Sequence, residues 1–376
     1  MNYKEEKTSI TEKRAHTGNG FSRRSFLTAG GLLSAGLLIS PLVKAEGLAT
    51  AVMGSRKKTD VIDVKAYDIV TNGITLHVTE LGEGPAVLFC HGFPDTSYTW
   101  RKQMQAVAKA GYRAIAPDMR GYGKSSAPAD ALLYTPFYTA GDLVGLLDAL
   151  KIPSAVLVGH DWGATHAWNA AMMRPDRFTA VMCLSVPYFP RGDESVFEKM
   201  RKAGHQNDFY MFEQMKPETD QVWANAKVMI PGFLYWASGA APADTKWDPM
   251  NPARSLHRPA PGPLPSWADP DYVANNIKEF ERTGFHGALN YYRAAEPYFF
   301  QSGAFKGAKI NQPCFYITGK ADGLGVLYPP VEKMKAGLPN MVGSLELDGV
   351  GHCVQHEASA QVSEQLVKFL GTIKHS

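Results

Sequence analysis

Apolar residues along this chain follow two alternating rhythms. Short buried runs, Ala86–Cys90, Arg113–Pro117, Ser154–Gly159 and Ala180–Val186, predict strands. Between them, Tyr98–Ala110, Tyr138–Leu150 and Gly163–Arg174 predict helices; Leu143, Leu146, Leu147 and Leu150 mark one amphipathic face. Ahead of these, Asp68–Val70 and Ile74–Leu81 flank a Thr-Asn-Gly turn and predict a hairpin. Strand, helix, strand in this order predicts an α/β fold: a mostly parallel sheet covered by helices on both faces.

The rhythm breaks at Pro187. From there to about Phe300 the chain is rich in aromatics, Met and Pro, with eight prolines between Pro242 and Pro270. Strands return at Cys314–Thr318 and Ser344–Leu347, and a periodic helix, Ala360–Leu370, ends the pattern. The expected organisation is a leader over residues 1–45, a core over 46–186, a helical lid over 187–304 and the rest of the core over 305–376. A lid inserted there would sit above the C-terminal strand edges, where open α/β sheets place their sites.

Charge and cysteine usage narrow the function classes. The 376 residues carry a formal charge of +3, but seven of the 39 Lys and Arg and three of the 36 Asp and Glu lie in residues 1–45. The remainder is close to neutral, which argues against nucleic-acid binding through a basic face. The four cysteines, Cys90, Cys183, Cys314 and Cys353, form no CxxC and meet no His at metal-ligand spacing. In the leader, Ser22-Arg-Arg-Ser-Phe-Leu27 precedes a weakly apolar stretch, Ala29–Val43, broken by glycines and Pro41. The stretch is too short and polar for a stable membrane span. The segment resembles a twin-arginine export signal, which implies the export machinery as a partner and a periplasmic or secreted protein; an uncleaved anchor is the alternative.

The most specific local pattern is Gly159-His-Asp-Trp-Gly163, directly after a strand and before a helix. Small residues at both ends suit a sharp strand-to-helix turn that lifts Asp161 above the sheet edge. A helix N-terminus there favours an ionised carboxylate. An Asp at such a place could simply cap the helix; its partners decide otherwise. His352, after Gly351, lies between the last strand and the last helix, and Asp322 follows the Cys314–Thr318 strand. Asp161, Asp322, His352 is the chain order nucleophile, acid, base. With Asp in place of Ser, the reaction expected is attack on a saturated carbon. The backbone N–H groups of Phe93, in His91-Gly-Phe-Pro94, and of Trp162 are candidate oxyanion-hole donors and substrate contacts.

Together these pieces resemble the soluble epoxide hydrolases of the α/β-hydrolase superfamily. Tyr98-Thr-Trp-Arg101, Pro117-Asp-Met-Arg-Gly-Tyr-Gly123, Phe280-Glu-Arg-Thr-Gly-Phe285 and Leu289-Asn-Tyr-Tyr-Arg293 extend the match in order. The resemblance implies an α/β-hydrolase fold, hydrolysis of an apolar epoxide by water through an aspartyl ester, and no metal or organic cofactor. It also implies two lid tyrosines that donate to the epoxide oxygen and contact substrate. Tyr292 matches one of them. For the other, an ungapped match gives Phe209, whereas a one-residue shift gives Tyr210. Two other readings stay open: a dehalogenase using the same Asp, and a non-catalytic ligand-binding protein of the same fold. Trp162 and Phe93 stand where dehalogenases carry other residues, and a receptor has no need of an intact Asp, Asp and His set.

Overall fold

The computed structural model describes residues 63–373; the leader, with its Arg23 and Arg24, lies outside them. The sheet has eight strands: β1 (Val64–Thr71), β2 (Ile74–Leu81), β3 (Ala86–Cys90), β4 (Arg113–Pro117), β5 (Ala155–His160), β6 (Phe178–Leu184), β7 (Cys314–Gly319) and β8 (Met341–Leu347). Their order is β1-β2-β4-β3-β5-β6-β7-β8, with β1 and β2 antiparallel and β3 to β8 parallel. The β1–β2 turn sits at Asn72 and Gly73, both with positive φ (48° and 76°), as a two-residue hairpin loop demands. β1 begins four residues before the apolar pattern does. It is an edge strand with both faces largely open, so pairing to β2, and no hydrophobic signal, fixes its start.

Helices α1 (Arg101–Lys109), α2 (Pro136–Ala149) and α3 (Trp162–Met173) connect the first parallel strands. Between β6 and β7 comes the insert: α4 (Val196–Lys202), α5 (Tyr210–Met215), α6 (Thr219–Trp223), α7 (Ala226–Trp236), α8 (Pro270–Thr283) and α9 (His286–Gln301). The chain closes through α10 (Val331–Met334), α11 (Val354–Glu357) and α12 (Ser359–Thr372). One face of the sheet packs on α1 and α12, the latter offering Val362, Leu366, Phe369 and Leu370 at helical spacing. The other face packs on α2, α3 and the insert's aromatic residues in one continuous core. β5 is wholly buried, as a central parallel strand must be. All four cysteines are free and buried. Among the described residues no helix is long and apolar enough to cross a membrane.

Candidate active site

β5 ends at His160, and the backbone turns into α3 through a single residue, Asp161, at φ 54° and ψ −124°. A non-glycine residue there stores on the order of 1–3 kcal/mol of strain, which the surroundings must hold in place. They do so by close backbone approach: a Cβ at position 163 would lie 2.1 Å from the Cys90 carbonyl oxygen, so only glycine fits. The turn sets the Asp161 carboxylate in a buried spot, where Oδ1 accepts the Phe93 N–H at 2.7 Å. Burial acts to raise this carboxyl's pKa, but the His352 hydrogen bond and charge prevail and hold it below its ordinary value. The Trp162 amide opens α3 and belongs to the N–H groups for which a helix has no internal acceptor.

His352 arrives on the loop after β8. Its Nδ1 lies 2.9 Å from Asp322 Oδ2 and its Nε2 lies 3.4 Å from Asp161 Oδ2. Asp322 caps a short turn with its other oxygen, Oδ1, which accepts the Leu324 N–H at 2.9 Å. Burial works against a charged His352, yet the two carboxylates outweigh it and lift the imidazole to about 10. In the resting site the pair is therefore carboxylate and imidazolium. The loop itself is pinned. The His352 carbonyl accepts from Ser185 Oγ (2.5 Å) and from His160 Nε2 (2.9 Å), and its N–H donates to the Ala237 carbonyl (2.9 Å). Glu357 accepts the N–H groups of Gly351, Cys353 and, from the insert, Gly239, at 2.8–3.1 Å.

The insert brings two phenols over this set. Tyr292, on α9 and buried, lies edge-on to Trp162, Phe93 and Tyr210, with ring centroids 5.0, 5.4 and 6.2 Å away. Its neighbour Tyr291 faces elsewhere and donates to the Arg120 carbonyl at 2.9 Å. Tyr210 opens α5 beside Tyr292, whereas Phe209 packs against Phe197 and Phe212 within the insert. Of the two sequence candidates, it is Tyr210 whose ring stands beside Tyr292, within reach of the Asp161 charge. Burial first, then the Asp161 charge, hold both phenols well above the usual tyrosine range. At neutral pH each is an O–H donor.

The structure thus brings together Asp161, Asp322, His352, Tyr292, Tyr210, Phe93 and Trp162. Missing from the sequence reading are Ser185 and Glu357, which hold the His352 loop. Ser185 carries no local signal, because its partner lies on the loop through a pairing that only the folded sheet creates; Glu357 sits close in sequence to Gly351 and Cys353, but that spacing alone does not mark a carboxylate as a brace. The motif Pro117–Gly123 also finds its use. Asp118 accepts from Ser97 and Lys124, Arg120 pairs with Asp142, and His91 Nε2 accepts the Met119 N–H, so the loop bearing Phe93 is braced from behind.

Residues 85–359 match the family model described as alpha/beta hydrolase fold. An epoxide hydrolase of Caballeronia sordidicola is 73% identical over 311 residues, spanning 82% of this chain and 94% of that protein. Epoxide hydrolase A of Mycobacterium tuberculosis is 36% identical, over 80% and 95% of the respective chains. Among solved structures, an epoxide hydrolase from an endophytic Streptomyces superposes with a TM-score of 0.77 at 34% identity, over 82% of this chain and 95% of that one. Epoxide hydrolase A from Mycobacterium thermoresistibile gives the same score and identity over 84% and 100%. On its sheet order, its site and these relatives, the chain belongs to the epoxide hydrolases of the α/β-hydrolase fold.

Proposed function

We propose that this protein hydrolyses epoxides to vicinal diols through an ester on Asp161, with residues 187–304 as a lid over the site. The observation that carries the reading is a single carboxylate held by Phe93 N–H on one oxygen, facing His352 with the other, and roofed by two protonated phenols. Asp161 Oδ2 attacks an epoxide carbon, forming a C–O bond while the ring C–O bond breaks. Tyr292 and Tyr210 donate to the departing oxygen, because an unassisted alkoxide is a poor leaving group at neutral pH. Ester formation also removes the Asp161 charge. His352 then faces one carboxylate instead of two, its pKa falls, and it gives up its extra proton, which replaces the one the tyrosines donated; the neutral imidazole can then take a proton from water. The resulting hydroxide adds to the ester carbonyl and the oxyanion forms at Oδ1 beside the Phe93 and Trp162 amides. Collapse breaks the ester C–O bond, the departing alkoxide takes the proton of the new Asp161 carboxylic acid, and the diol leaves with Asp161 ionised and His352 protonated as at the start.

The test uses a His352→Gln variant incubated with styrene oxide and, separately, with a chloroalkane. Intact-protein and peptide mass spectrometry should find an adduct of styrene oxide mass on Asp161. An adduct formed with the chloroalkane alone assigns the protein to dehalogenation instead.

We also propose that Ser22–Leu27 directs export of the protein through the twin-arginine pathway, to the periplasm or the medium. The paired Arg23 and Arg24 before a weakly apolar stretch support this. Replacing both by Lys should move epoxide-hydrolysing activity from the periplasmic to the cytoplasmic fraction; unchanged fractionation rules the pathway out.

A further inference from the structure

In the insert lies a solvent-open cavity of about 360 Å³ with mixed walls, apolar at Phe209, Phe212 and Leu256 and polar at Gln214, Asn251 and His257. Tyr210 and Trp247 border it as well. Both also face the reacting groups. The Trp247 ring centroid is 6.2 Å from that of His352 and 5.3 Å from that of Tyr210. The two rings are therefore a partition, with Asp161 and His352 on one side and the cavity on the other.

Trp247 is buried and its place is fixed from several directions. Its backbone N–H donates to the Trp236 carbonyl at 3.1 Å, and the adjacent Lys246 Nζ donates to the Ala321 carbonyl at 3.1 Å. Position 323, next to Asp322, carries no side chain: a Cβ there would lie 2.7 Å from the Trp247 carbonyl oxygen and 3.2 Å from its Cε3. The tryptophan occupies the space that a side chain after Asp322 would otherwise fill. No step of the proposed chemistry uses Trp247, yet its ring lies between His352 and this cavity.

We infer that Trp247 sets the upper length of the apolar substituent an epoxide can carry, because its indole separates the catalytic chamber from the lid cavity. This rests on the epoxide-hydrolase reading. In the wild type a short or compact epoxide fits in front of the indole, and a long alkyl chain meets the ring. With the indole removed, the chain continues into the cavity past Phe209 and Leu256. Each methylene that gains a buried place is worth up to about fourfold in binding.

The experiment compares kcat/KM for a long-chain terminal epoxide (epoxydodecane) with that for styrene oxide in wild type, Trp247→Phe, Trp247→Leu and Trp247→Ala. Melting curves identify the folded variants. The long-to-compact ratio should rise as the side chain shrinks, by about tenfold or more at Ala. Adding Ser255→Phe, which places a ring at a position lining the cavity, should return the ratio toward the wild-type value. A ratio that stays within about threefold of wild type in every folded variant overturns the inference, as does a rise that Ser255→Phe leaves untouched. Failure of the parent reading looks different: wild type then makes no diol from either epoxide.

Discussion

His352 and His160 sit with ring centroids 5.0 Å apart, equally buried, and titrate in opposite directions. His352 looks onto Asp322 and Asp161 and is lifted to about 10. His160 looks onto neutral groups: Nε2–H donates to the His352 carbonyl and Nδ1 accepts from the Gln355 amide at 3.2 Å. Burial, reinforced by the charge on His352, pushes it down to about 4. Burial alone thus decides nothing about a histidine's charge. What decides is whether carboxylates or amides complete its hydrogen bonds. One region is arranged to hold and release a proton, the other to keep its single proton in place.

Replacing Asp322 by Asn should blur this contrast most. His352 loses its closest carboxylate, its pKa falls, and the imidazole is no longer held by an acceptor on Nδ1. Diol formation should drop by about 10²–10⁴-fold, and NMR titration of the imidazole should show the lowered pKa. A rate within tenfold of wild type would deny Asp322 its role.

The next test breaks the other side. A histidine depressed below its ordinary 6.5 is protonated in the unfolded chain before the folded one, so stability rises with pH between the two values and is lost on acidification. For His160 the window runs from pH 6.5 down to about 4, and up to about 3 kcal/mol is at stake at its lower end. Buried His166, pushed down to about 3, adds to the same limb. His352, raised instead, contributes stability that is complete below pH 6.5 and fades as pH rises through about 10, so it does not shape this window. Urea unfolding of His160→Gln at pH 7 and at pH 4.5 should show a smaller loss between the two pH values than wild type. An identical loss in both proteins would place the acid sensitivity elsewhere.

How much of this was visible beforehand follows from where each signal lives. The turn at Asp161 was legible because its geometry demands glycine within two residues on either side, and Gly159 and Gly163 are local. The chain order of Asp161, Asp322 and His352 was legible because each follows a strand, wholly or largely buried for the first two and half-exposed for the last. The two-tyrosine roof was legible only by resemblance, and the choice between Phe209 and Tyr210 needed the packing of α5: Phe209 is claimed by Phe197 and Phe212, which leaves Tyr210 beside Tyr292. Ser185 was read as strand interior, yet it sits just past β6 at φ 64° with its hydroxyl on the His352 carbonyl. That bond joins residues far apart in sequence and leaves no periodic trace.

The smallest effect expected comes from that same residue. Ser185→Ala removes one of two donors to the His352 carbonyl while His160 remains, so a loss of about 1 kcal/mol is expected. The melting temperature should fall by about 2 °C, with the imidazole titration unmoved. A shifted titration would mean that Ser185 tunes the base as well as fastening its loop.

The carboxylate of Glu357 has a consequence for how the enzyme breathes. By gripping amides of both the His352 loop and the segment at Gly239, it stitches roof and floor together at a seam next to the imidazole. Peeling the insert back along that seam would also release the loop that carries His352, so opening there and holding the imidazole against its carboxylates exclude one another.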